Sequence, residues 1–163
     1  MNLPVDAAAR GRRDLVRREA IASVIINAGM SVLFFLLVFG WQPATGRSLA
    51  IDCLPQTVGI TFLGGLVPAL LTLRKVAAGR VIAAGPLLSP GALAMRVLIC
   101  ATVAMVVLGG CAALLLARFA PPQLDPLPAL IIKALFGSLV GLITTPPILR
   151  MTLGLGLFDR PFH

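Results

Sequence analysis

Residues 52–75 read DCLPQTVGITFLGGLVPALLTLRK, and a related stretch returns 73 residues later, from Asp125, as DPLPALIIKALFGSLVGLITTPPI. At that offset Asp52 meets Asp125, Leu54 meets Leu127, Pro55 meets Pro128, Gly64 meets Gly137 and Thr72 meets Thr145. Each copy has a short polar start and then an apolar run long enough to cross a bilayer, which takes roughly 20 residues at a 1.5 Å rise. The chain therefore reads as an all-α integral membrane protein made of two repeated helical hairpins.

Outward from these copies, the composition agrees. Of 163 residues, 58% are hydrophobic and 12% charged, with a mean hydropathy of +0.99. Ordinary soluble domains carry about 25% charged residues. Apolar runs lie within Glu19 to Arg47, Asp52 to Arg74, Arg96 to Arg118 and Asp125 to Arg150, the last broken only by Lys133. This predicts four transmembrane helices, with hairpins at about 20–75 and 92–150. A basic segment precedes them (1–19) and a short tail follows (151–163). MVVL at Met105 to Leu108 against MSVL at Met30 to Leu33 weakly extends the repeat to the first and third spans.

The net charge is +8 and the pI about 11.3. Nucleic acid and an anionic membrane face both suit such a charge, and its placement favours the membrane. Arg10, Arg12, Arg13, Arg17 and Arg18 precede the first span; Arg74, Lys75, Arg80 and Arg96 lie between the second and third; Arg150 and Arg160 follow the fourth. Only Arg47 and Arg118 fall on the other side. Basic residues beside spans stay cytoplasmic, so both termini are expected inside the cell. A basic start before an apolar run also resembles a signal peptide. The run here is long, however, and is followed by Trp41, Gln42 and Pro43 rather than small residues, so an uncleaved first span is expected.

Three groups of residues stand out as candidate sites. Glu19, Ser23, Asn27 and Ser31 recur every four residues on span 1, which places them on one helix ridge; an unpaired amide in hydrocarbon is costly, so the ridge should face protein. Asp52, Asp125 and Lys133 form a candidate outer charged cluster. Asp52 and Asp125 read as helix N-caps followed by prolines in the first turn, and Lys133 as a residue that snorkels outward or pairs with one of them. Gly64, Gly65, Gly137 and Gly141 supply small surfaces on which helices approach closely. Ser89 before Pro90 marks a helix start. Thr144 to Pro147 should end the fourth span, and Phe158 and Phe162 suit a membrane surface.

Three cysteines without CxxC spacing set no disulfide framework. The single histidine is His163, and no phosphate loop, HExxH or GxSxG occurs. No catalytic residue, metal or cofactor is expected. Small four-helix multidrug exporters share the span count but carry an acidic residue deep in a span, which this chain lacks. Two parallel hairpins are not the inverted pair on which many transporters are built. The function expected is a non-catalytic accessory or assembly subunit of a bacterial-type inner membrane, in a homo-oligomer or larger complex; the alternative is a small permease or flippase.

Overall fold

The computed structural model describes residues 5–155, with side chains from residue 9 onward. Arg160, Phe158, Phe162 and His163 lie outside that range, so the reading of the tail is not addressed by it. The described residues form five helical segments: α1 (Val5–Phe39), α2 (Gly46–Ala77), α3 (Pro90–Ala104), α4 (Gly110–Phe119) and α5 (Pro126–Thr152). A π-helical turn, Met105–Gly109, joins α3 to α4 without a break. Among the described residues there are thus four helices long and apolar enough to cross a membrane, and no strand. The basic stretch before span 1 is itself helix, continuous with α1.

α2 and α5 are the centre of the bundle. α1 packs mainly on α5, and the α3–α4 span packs mainly on α2. Leu33, Leu36, Leu37, Val106, Val107, Leu114, Leu139 and Ile143 remain exposed. In a bilayer such residues meet lipid, against which apolar side chains need no cover. Two apolar clusters hold the ends. At the end that carries only Arg47 and Arg118, Phe35, Leu49 and Ala129 pack with the loop residues Ala44 and Leu124. Those two loop residues pair as a β-bridge, Ala44 N donating to Leu124 O at 3.0 Å and Leu124 N to Ala44 O at 2.9 Å. Toward the arginine-rich end, Ala69, Leu93, Val97 and Ile148 join α2, α3 and α5.

The helix ends have local causes. Ser89 caps α3 by accepting from Ala92 N, as the Ser-Pro pair predicts. Gly79 and Gly154, at φ +69° and +71°, turn the chain off α2 and α5. In each case the next residue's N–H reaches back five positions, Arg80 to Lys75 O and Leu155 to Arg150 O, both at 2.9 Å. That left-handed residue suits glycine.

Two helix boundaries differ from the sequence reading. α2 begins at Gly46, not at Asp52, because Thr45 and Ser48 form a reciprocal capping box. Asp52 is therefore in the second turn, and Pro55 lies inside the helix rather than in its first turn. α5 does not end at Thr144–Pro147 but runs on to Thr152 through both prolines. They remove the N–H partners of Leu142 and Ile143 carbonyls. The buried Ile148 and Leu149 hold the continuing turn against its neighbours.

Candidate functional site

Buried polar side chains run along the seam of α1, α2 and α5. Lys133 is fully buried (0% exposed) and its Nζ lies 2.7 Å from Asp52 Oδ2. Asp52 is six residues past the start of α2 and Lys133 seven past the start of α5. At 1.5 Å per residue both sit roughly 10 Å below their helix ends, which matches their depths. The approach is charge to charge; its angles are not those of a directed hydrogen bond. Lys133 Nζ also lies 3.7 Å from Cys53 Sγ and 6.0 Å from the ring centre of Phe136. Of the two expectations for Lys133, snorkelling outward or pairing with an aspartate, the structure shows the pair with Asp52: a carboxylate on the neighbouring helix meets its charge inside the bundle.

Asp125 stays out of this cluster. It is exposed, stands at the N-cap position of α5 before Pro126, and makes no side-chain cap bond. The outer cluster is a pair, not a triad. Cys53 adds to it because it lies one position beyond Asp52 and α5 faces both. One turn beyond Asp52, on the same face of α2, Gln56 is buried (3% exposed) with neither carboxamide atom hydrogen-bonded. Gln56 was not singled out in the sequence. Its signal was available: an amide in an apolar run, four residues past a carboxylate.

The π-turn lies beside this cluster. Gly109 packs on α2 where a Cβ would sit 3.0 Å from Thr57 Oγ1 and 3.4 Å from Cys53 O. Thr57 in turn donates to Cys53 O at 2.6 Å. Met105–Leu108 is thus π-helical, whereas Met30–Leu33, its sequence match, is regular α-helix.

The ridge of α1 forms the second part of the seam. Ser23, Asn27 and Ser31 are all buried. Ser23 Oγ and Thr145 Oγ1 are 2.6 Å apart, and Asn27 Nδ2 donates to Ser23 Oγ at 3.0 Å. Glycines make room for them. A Cβ on Gly64 would run into Asn27 Oδ1, one on Gly141 into Asn27 Nδ2, and one on Gly137 into Ser31 Oγ. The Asn27 carboxamide is therefore gripped between α2 and α5. Gly65 faces a different neighbour, Ile148. Asn27 Oδ1, Ser31 Oγ and Thr61 Oγ1 have no hydrogen-bond partner among the described residues. At the arginine-rich end Glu19 leaves the seam and accepts from Lys75 Nζ at 2.6 Å.

Chemically the seam holds one neutralised charge pair, one amide–hydroxyl network and several unpaired polar atoms in an apolar bundle. Ionisable groups within spans face protein or a cavity and pair with one another; Lys133 and Asp52 follow that pattern. Comparison with known proteins adds nothing to this geometry: no family model, curated protein or solved structure matches the chain.

Proposed function

We propose that the chain is a multi-pass protein of a bacterial-type inner (plasma) membrane, with both termini cytoplasmic, serving as a non-catalytic accessory or assembly subunit. The observation that carries this reading is the Lys133–Asp52 contact at 2.7 Å. The intramembrane charge has a partner within the chain, so it acts as a fastening between α2 and α5. The glycine contacts around Asn27 support the same use of the interior, as a helix-packing surface. Orientation rests on the eleven-to-two distribution of basic residues. The two-hairpin repeat rests on the 73-residue offset, and Gly64 and Gly137 both facing the α1 ridge is consistent with it.

A second reading, a small permease or flippase, draws support from Gln56, Ser31 and Thr61. Their unpaired polar atoms lie in the interior, where water or a polar solute would satisfy them. Purification from native membranes in mild detergent separates the two. The subunit reading expects a stoichiometric complex with a larger membrane protein. An isolated oligomer that moves a solute in liposomes contradicts it.

A further inference from the structure

α1 and α2 touch closely at the Asn27–Gly64 crossing and at the Glu19–Lys75 pair, yet a cleft of about 370 Å³ lies along them. Its walls are mostly carbon: Ile26 and Met30 on α1, and Ile60, Leu63, Val67 and Leu71 on α2. Ile26, Leu63, Val67 and Leu71 are also exposed, so the cleft opens sideways. It extends along α1 from Glu19 to Met30, eleven residues or about 16 Å of helix. One leaflet of the hydrocarbon core is about 15 Å deep. The cleft thus has the length of a single leaflet.

An apolar trough one leaflet long that opens sideways suits an extended hydrocarbon chain. The Glu19 end is also the basic end. Arg17 and Arg18 precede Glu19 on α1, and Arg74 and Lys75 stand in the last turn of α2. Lys75 keeps 37% of its side chain exposed while bonded to Glu19, and Arg17, Arg18 and Arg74 are exposed. Basic groups beside spans attract anionic headgroups, and basic pockets between spans bind them.

We infer that the α1–α2 cleft is a binding site for one anionic phospholipid, with an acyl chain along Ile26, Leu63 and Val67 and the headgroup at Lys75 and the neighbouring arginines. The site rests on the four-span membrane reading and is independent of whether the protein is a subunit or a permease. The test is native mass spectrometry of the purified full chain, titrated with phosphatidylglycerol or phosphatidylcholine of identical acyl chains. One phosphatidylglycerol should be retained with at least tenfold preference. Val67→Trp and Leu63→Trp, which fill the cleft from two exposed positions, should abolish retention, while Leu139→Trp on the exposed face of α5 should leave it intact. Arg74→Gln should reduce the preference without removing the chain site. Equal retention of the two lipids, unchanged retention in a folded cleft variant, or equal loss in Leu139→Trp would overturn the inference. Thermal unfolding of each variant identifies the folded ones.

Discussion

At the scale of single residues, the structure turns on Lys133. A lone ammonium at its depth is costly, and Asp52 offsets that cost from the neighbouring helix. Removing one partner of a buried pair leaves the other uncompensated, which costs about 3–5 kcal/mol, whereas replacing both with apolar residues is often neutral or stabilising. Lys133→Met and Asp52→Leu should each lower the unfolding temperature in detergent, and the double variant should recover most of the loss. Additive effects in that cycle would show that the pair does not couple. Asn27 gives a second case. Gly64→Ala places a methyl group against Asn27 Oδ1 and should destabilise by about 1–3 kcal/mol, as overpacking does. Shortening the obstacle with Asn27→Ala should make Gly64→Ala less harmful, a non-additivity that unfolding curves of the four proteins would reveal.

At the scale of helices, polar and small residues fix the contacts, and this part was largely legible. The four-residue spacing of Ser23, Asn27 and Ser31 placed them on one ridge, and the cost of burying an amide in lipid required that ridge to face protein; the structure places it against α5. Gly137→Leu should therefore separate α1 from α5. The variant is expected to lose stability and to expose the α1 ridge to a membrane-permeant thiol reagent at an introduced Ser31→Cys; protection equal to the parent's would argue against the α1–α5 contact. Helix starts were less legible. Asp and Pro outrank most residues as helix openers, so DxLP looked like a beginning. The Thr45–Ser48 box opens α2 earlier. α2 and α5 thus start 80 residues apart, not 73. That seven-residue difference, about two turns or 10 Å, brings Asp52 to the depth of Lys133 and leaves Asp125 at the surface. The pairing depends on this register, which single-residue preferences do not encode. The π-turn was hidden for the same reason: Met105–Gly109 has no proline or polar insertion to announce it.

At the scale of the whole molecule, the low charge content and the four apolar runs decided the architecture before any contact was known. Four long apolar helices are present, and the polar seam runs along three of them, α1, α2 and α5. Gln56 and its unpaired neighbours are where the subunit and permease readings diverge. Both readings require the same path through the bilayer. The direct measurement of that path is a set of topology-reporter fusions in intact cells. Fusions after Arg47 and Arg118 should report outside, and fusions after Arg80 and at the C-terminus inside. A cytoplasmic signal from the Arg118 fusion would contradict the four-span account.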